Sequence, residues 1–139
     1  MTVRLFRYAC VFFAALVLIE LLLFGVGYVM QGDFRNLGMG LIPFMGAALF
    51  EGTKHAQGTR DAIPHPWKQS GVMTVVGLGL SVLLALPFVI GMPNLRAAMA
   101  DYAGYVAGFA LVLSIVAWLV TRFFLTFGAK NHWKAQDRQ

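Results

Sequence analysis

Charged side chains are scarce in this chain of 139 residues. Aspartate, glutamate, lysine and arginine together make up 12% of it, whereas 59% of the residues are hydrophobic. A small water-soluble domain has too much surface to cover with so few charges. Cysteine is scarcer still, since Cys10 is the only one, and a single thiol excludes an intramolecular disulfide. Both shortages argue against a small soluble or secreted fold.

The sequence also lacks the motifs of the common enzyme classes. The three histidines, His55, His65 and His132, do not share the spacing of metal ligands and have no cysteine neighbours. The pair Gly77 and Gly79 lies inside an apolar run rather than between a strand and a helix, which excludes a dinucleotide-binding loop. We therefore predict a protein that is not an enzyme and that needs no cofactor or metal.

Four long apolar runs fill most of the chain, and each approaches or exceeds the roughly 20 residues that cross a bilayer as a helix. The first run is too long for a cleaved signal peptide and lacks an Ala-x-Ala site, so we predict that it is retained. The sequence thus predicts an all-α membrane protein, a single domain over residues 1–139 that forms a four-transmembrane-helix antiparallel bundle. The predicted spans cover residues 6–30, 37–55, 70–92 and 102–127, with a cytoplasmic loop at 56–69 and a cytoplasmic tail at 128–139.

The 11 lysines and arginines are distributed unevenly among the polar segments. Two precede the first run, one lies in the first connection, three in the second, one in the third, and four follow the core of the fourth run. Because basic residues concentrate on the cytoplasmic side of a membrane, this alternation predicts that both termini are cytoplasmic. The same sorting explains the net charge of +5 without a nucleic-acid partner.

Glu20 is the most unusual residue of the first span. It follows Phe6 by 14 residues, about 21 Å along a helix, where a charged carboxylate costs several kcal/mol. We expect its side chain to face the bundle interior, where Ser81, Ser114 and the carbonyl left unbonded by Pro43 lie at a similar depth. Three roles remain open for it: a hydrogen bond between helices, a proton or cation site, or a contact between subunits.

A second group of polar residues lies at the cytoplasmic end of the second span. Glu51, Lys54 and His55 are spaced i, i+3 and i+4, so they share one face of a helix. Arg122 of the fourth span is predicted at the same level. We expect Glu51 to form an ion pair with Lys54 or Arg122; the alternative is a gate or a substrate-binding carboxylate.

Small residues indicate where the spans pack closely. The second span is rich in glycine, which lets helix backbones approach one another, so we predict that it is the most enclosed of the four. The fourth span contains Gly104-x-x-x-Gly108, a pattern that occurs where membrane helices pair. Packing within the bundle is the preferred interpretation of this motif, and a dimer interface is the alternative.

Two resemblances to known families bear on function. Glu20 and the segment Leu49-Phe-Glu-Gly-Thr-Lys-His-Ala-Gln-Gly-Thr-Arg60 resemble a family of small proteobacterial inner-membrane proteins that has no assigned activity, which implies a location and no mechanism. The four-span layout also resembles small multidrug-resistance exporters, in which one glutamate of the first span exchanges protons for cationic drugs in a dimer. Glu20 is the matching position, although its neighbours Ile19 and Leu21, the long loop and the charged tail depart from that pattern.

Two functions are therefore carried forward as alternatives. The first is a non-catalytic accessory or interaction protein that binds a larger membrane protein. The second is a homo-oligomeric, proton-coupled small exporter that uses Glu20. The expected partners are the lipid bilayer and either a larger membrane protein or a second copy of the chain.

Overall fold

The computed structural model describes residues 4–31 and 39–139. Those residues form helices and their connections, and the described part of the chain contains no β-strand, which confirms the predicted all-α class. A short 3-10 turn, Met39–Leu41, precedes the second helix. The α-helices are α1 (Leu5–Met30), α2 (Ile42–Gly58), α3 (Pro66–Gly91), α4 (Pro93–Asp101) and α5 (Ala103–Asp137).

Three of these helices, α1, α3 and α5, are long and apolar enough to cross a membrane. The mean hydropathy of their most apolar stretches is 2.7, 2.4 and 2.2, respectively. Helix α2 has 17 residues, about 26 Å, slightly less than the roughly 30 Å of a bilayer's hydrocarbon core. It begins at Ile42 rather than at the predicted position 37, which lies outside the described residues. The chain is a helical membrane protein by the length and composition of these three helices.

Helix α5 is longer than the sequence suggested. We predicted that the fourth span ends near residue 127 and that a polar tail follows, but one uninterrupted helix of 35 residues continues to Asp137. Its length is about 52 Å, well beyond the thickness of the hydrocarbon core. Residues 129–137 are mostly alanine, lysine and other helix-compatible types, so nothing stops the helix where the apolar run ends. We call residues 128–137 the α5 extension.

Side-chain contacts give the relative directions of neighbouring helices. Glu51 of α2 meets Arg7 near the start of α1, while Phe44, earlier in α2, meets Phe12, later in α1. These two helices therefore run in opposite directions. Helices α2 and α5 run the same way, because Gly52 lies against Leu125 and Arg60, just beyond α2, meets Asp137 near the end of α5.

The core is confined to one half of the molecule. The buried side chains among the described residues come from one end of each long helix: residues 8–12 of α1, 69–77 of α3 and 117–129 of α5. The others belong to α2 and to the loop that follows it. We call this part, together with the α5 extension, the packed half. In the open half (residues 17–30, 78–91 and 103–116, with α4) no described side chain is buried.

The closest helix contact in the packed half joins α2 to α5. A Cβ atom added at Gly52 would collide with the carbonyl oxygen of Leu125, and one added at Gly128 would lie 2.5 Å from the carbonyl oxygen of Leu49. Ala48 and Ala56, one turn on either side of Gly52, are also buried. With eight buried residues, α2 is the most enclosed of the described helices, as its glycine content predicted.

The motif Gly104-x-x-x-Gly108 does not pack against any other described element. No described atom of another element lies within 4 Å of a Cβ added at either glycine. The two glycines instead line a shallow apolar groove on α5, together with Tyr105, Val106, Phe109 and Val112. The preferred interpretation of this motif was wrong, because small residues permit a close approach only where another helix is present to make it.

Candidate functional site

The most enclosed charged group in the described part of the chain is the carboxylate of Glu51. Arg7 donates two parallel hydrogen bonds to this carboxylate: Nε donates to Oε1 at 2.6 Å and Nη2 donates to Oε2 at 2.8 Å. The Glu51 side chain is fully buried, whereas 32% of the Arg7 side chain is exposed. The expected pairing of Glu51 with Lys54 or Arg122 was therefore wrong. Its partner comes from α1.

The arrangement of this pair explains how a charge is tolerated inside the helix bundle. Two-point binding between a guanidinium and a carboxylate gives short, charge-assisted hydrogen bonds with a fixed geometry. The long Arg7 side chain keeps one edge of its guanidinium near the surface, so only one of the two charges is fully desolvated. The ion pair therefore fixes the angle and height at which α1 meets α2.

The pairing of Arg7 with Glu51 was not predicted, because Arg7 was counted only among the basic residues that set the orientation of the chain in the membrane. A usable signal was present: one arginine in the first turn of α1 and one glutamate near the end of α2 lie at the same end of antiparallel neighbours. The α1 face that contains Arg7 was not identifiable from the sequence, since apolar residues surround that helix on all sides.

His55 fastens the loop that follows α2. The residue is buried, with 7% of it exposed, and Nε2 lies 2.8 Å from the carbonyl oxygen of Asp61. Because a carbonyl only accepts, Nε2 must be protonated and donate this hydrogen bond. The backbone N–H of Asp61 in turn donates to Oγ1 of Thr59 at 3.1 Å. His55 therefore holds the loop in position through Nε2.

The same loop is tied to the α5 extension and to the start of α3. Nε1 of Trp133 donates to the carbonyl oxygen of Thr59 at 3.1 Å, and Nε2 of Gln69 donates to the carbonyl oxygen of Pro64 at 2.7 Å. Ile63 is 7% exposed and belongs to the core. We call residues 59–65 with the α5 extension the cap of the packed half.

Lys54 takes no part in the buried ion pair. Its side chain is exposed, and Nζ lies 5.7 Å from the centre of the Phe50 ring on the same helix. That contact is a weak cation–π interaction at the surface. Glu51, Lys54 and His55 were predicted to share one helical face. In the structure Glu51 and His55 are buried, whereas Lys54 is exposed.

Arg122 lies in the packed half but not beside Glu51, where it was predicted as a possible ion-pair partner. Its Cζ atom is 3.8 Å from the centre of the Trp67 ring, at the start of α3. Trp118, one turn earlier in α5, meets Trp67 edge to face with ring centres 5.5 Å apart. Arg122 is thus part of the seam between α3 and α5 and does not approach Glu51 as an ion-pair partner.

Glu20 belongs to the open half. Its side chain is exposed, which differs from the expectation that the bundle encloses it. The two serines predicted at its depth bond to their own helices: Oγ of Ser81 donates to the carbonyl oxygen of Gly77 at 2.9 Å, and Oγ of Ser114 donates to that of Ala110 at 2.7 Å. Pro43 lies in the first turn of α2, where a missing N–H costs no helical hydrogen bond. The structure does not bring these residues together as one site.

Two buried hydroxyls in the packed half escaped sequence reasoning. Tyr8 and Thr121 are both 0% exposed, and their hydroxyls lie near each other without the geometry of a full hydrogen bond. An unsatisfied hydroxyl in an apolar interior costs about 1–3 kcal/mol. Tyr8 is nevertheless retained in the aromatic core, where its ring lies 5.9 Å from that of Phe12.

The described side chains offer no metal site, because no three histidine, cysteine, aspartate or glutamate residues among them come together. Arg7, Glu51 and His55 are held in hydrogen bonds that join elements of the fold. No family model, no curated protein and no solved structure matches this chain. The class of protein therefore follows from its physical features alone, and it is a membrane protein built of helices.

Proposed function

We propose that this chain is a non-catalytic accessory or interaction protein of the bacterial inner membrane, which binds a larger membrane protein through its open half. In this proposal α1, α2, α3 and α5 form a four-helix antiparallel bundle with both termini and the cap in the cytoplasm. The contacts between α1 and α2, and the shared direction of α2 and α5, support this alternation. The basic residues concentrated at the same end support the orientation.

One observation carries the proposal: the two halves of the same helices differ in how completely they are packed. Lipid can cover apolar side chains, so exposed leucine and phenylalanine need no protein partner in a membrane. Glycines on a helix face are different, because they favour close approach of another helix backbone. Gly104 and Gly108 provide such a face and have no described neighbour within 4 Å. A helix of a larger membrane protein fits this groove.

Site-specific photo-crosslinking in intact cells tests this proposal. A photoreactive residue at Phe109, in the groove, is expected to give one discrete adduct with a second polypeptide, and Gly108→Leu is expected to abolish it. The matched control is the same probe at Leu119, which is also exposed on α5 but lies outside the groove. Equal adducts from both positions, or adducts with lipid alone at Phe109, would contradict a specific partner.

The orientation is tested separately by cysteine accessibility in a Cys10→Ser background. We expect a cysteine at Arg96 to react with a membrane-impermeant reagent only from the periplasmic side. A cysteine at Lys130 is expected to react only from the cytoplasmic side. Labelling of position 96 from the cytoplasmic side alone, in intact inverted vesicles, would overturn the proposed topology.

The second candidate is a homo-oligomeric, proton-coupled exporter, and the position of Glu20 favours it. This residue is the only carboxylate in α1, and its exposed side chain lies in the open half, where a second copy would contact it. If the chain is an exporter, lipophilic cations are expected to release protons from the reconstituted protein, and Glu20→Gln is expected to abolish this release. The accessory role instead expects no release from wild type and a nearly silent Glu20→Gln variant.

A further inference from the structure

The guanidinium of Arg122 differs from the other buried or paired arginines. Arg7 and Arg60 each meet a carboxylate, Glu51 and Asp137 respectively. Among the described residues, Arg122 has no such partner, and its Nε atom is buried without a hydrogen bond. The Cζ atom of its guanidinium lies 3.8 Å from the centre of the Trp67 ring, a separation typical of stacking. Stacking occupies the face of a guanidinium, and because Nε is buried, the Nη groups are the donors that remain available for an anion.

The surface on which Arg122 rests is fixed by other contacts. Nε1 of Trp118 donates to the carbonyl oxygen of Trp67 and to Oγ of Ser70, both at 3.1 Å. Oγ of Ser70 in turn donates to the carbonyl oxygen of Trp67 at 3.0 Å. These bonds hold the Trp67 backbone and ring before any ligand arrives, which lowers the entropy lost on binding.

The depth of this cluster matches the boundary between hydrocarbon and headgroups. Arg122 follows Gly104 by 18 residues, about 27 Å along α5, close to the thickness of the hydrocarbon core. Trp67 is the second residue of α3, and 46% of it is exposed. Tryptophan and arginine both favour this boundary, where one end of the side chain is wet and the other apolar.

Neighbouring side chains suit the remainder of a lipid. Phe123 and Phe127 lie one turn apart on α5 with their rings stacked, the ring centres 5.7 Å apart, and both are exposed. Both rings follow Arg122 and lie on its headgroup side, whereas Leu119 and Ile115, one and two turns earlier on α5, are exposed on the hydrocarbon side and can lie along an acyl chain. Lys68, next to Trp67 in sequence, is exposed and adds positive charge at the start of α3. The seam thus combines a cation without a described carboxylate, a second cation and an apolar face.

We propose that Arg122, stacked on Trp67, binds the phosphodiester of an anionic phospholipid in the leaflet that faces the cap. The guanidinium edge matches phosphate oxygens in geometry and charge. Basic sites between membrane helices at the headgroup level bind anionic lipids in this way. The proposal depends on the membrane location of the chain and is independent of any protein partner.

Quenching of tryptophan fluorescence by brominated lipid tests this site with purified protein. A Trp133→Phe background confines the emission to Trp67 and Trp118. The protein is reconstituted in phosphatidylcholine vesicles that contain a variable fraction of brominated phosphatidylglycerol or, in parallel, brominated phosphatidylcholine. We expect half-maximal quenching at an about fivefold lower fraction of the anionic lipid, the size of effect typical of one basic residue at a membrane surface.

Variants separate the site from the general charge of the chain. Arg122→Gln is expected to remove the preference for the anionic lipid, and Arg122→Lys to retain only part of it, because lysine keeps the charge without the planar fork. Lys130→Gln is the matched control on the same helix, exposed and of the same charge change, and is expected to keep the full preference. If Arg122→Gln fails to fold, Lys68→Gln replaces it, with a reduced preference expected.

Three results would overturn the assignment. The first is equal quenching of the unsubstituted Arg122 protein by the two brominated lipids. The second is an unchanged preference in folded Arg122→Gln or, where Lys68→Gln replaces it, in that variant. The third is loss of the preference on adding millimolar inorganic phosphate, which would show that the site takes a free anion rather than a lipid headgroup.

Discussion

The packed half and the open half are built from the same three long helices, and α5 supplies glycines to both. Gly128 in the packed half lies so close to α2 that an added Cβ atom would be 2.5 Å from a backbone oxygen. Gly104 in the open half has no described neighbour within 4 Å. The difference teaches that spacing of glycines on one helix does not create a contact. It also needs a small residue on the facing helix, which Gly52 provides in the packed half.

Charge shows the same contrast. In the packed half Glu51 is enclosed and held by two hydrogen bonds from Arg7, whereas Glu20 in the open half is exposed. A carboxylate can be enclosed only where a cation and a closely fitted set of helices surround it. The contacts that stabilise the fold and the partner binding that we propose therefore fall to different ends of the same helices.

Gly52→Leu should have the largest effect and would break the packed half. The new side chain has no room beside the Leu125 carbonyl, and we expect a loss of at least about 3 kcal/mol of stability or failure to fold. Gly46→Ala is the matched control on the same helix, because no described atom lies within 4 Å of its added Cβ. Thermal unfolding in detergent, followed by circular dichroism, measures both. Similar melting of the two variants would contradict the close contact.

Glu51→Gln should have the next largest effect. It leaves the Arg7 guanidinium with one neutral acceptor in place of a carboxylate, and we expect a loss of about 2 kcal/mol. The double variant Arg7→Met with Glu51→Met is expected to recover most of that loss, since apolar residues of similar size replace a buried ion pair at little cost. Titration with a denaturing detergent gives the free energies. A double variant less stable than Glu51→Gln would argue that the pair itself drives folding.

Trp133→Phe should have a smaller, local effect that sharpens the comparison within the packed half. It removes the hydrogen bond to the Thr59 carbonyl, worth about 1 kcal/mol. We expect faster hydrogen exchange in residues 59–65 and unchanged exchange at residues 44–52 of α2. Uniformly faster exchange throughout the packed half would show that the cap is not a separate unit.

Gly104→Leu should have the smallest effect on stability, within about 0.5 kcal/mol, because its added side chain meets no described neighbour. The measurement is the same thermal unfolding used for Gly52→Leu, so the two glycines are compared directly. A large destabilisation at Gly104 would mean that the open half closes on itself in the membrane.

The apolar runs predicted the long helices well, because length and hydrophobicity alone decide whether a helix can cross a bilayer. The glycines of α2 likewise predicted its enclosure. The partner of Glu51 was not predictable, since helices that are apolar all round do not reveal which face turns inward. The expectation for Glu20 failed for a related reason: depth along one helix says nothing about whether other helices surround it at that level. The continuation of α5 to Asp137 was missed because polarity marks the membrane boundary and not the end of a helix.

The uninterrupted course of α5 has a mechanical consequence. A tilt at one end of an uninterrupted helix of 35 residues displaces its other end. Suppose that a partner in the membrane tilts α5 by about 10° about its end at residue 103. The tip of the α5 extension, about 50 Å away, then moves by about 9 Å. Thr59 and Arg60 hold that tip through Trp133 and Asp137. In the proposed topology, the cap is therefore positioned to report on the cytoplasmic side the binding that we propose for the groove of the open half.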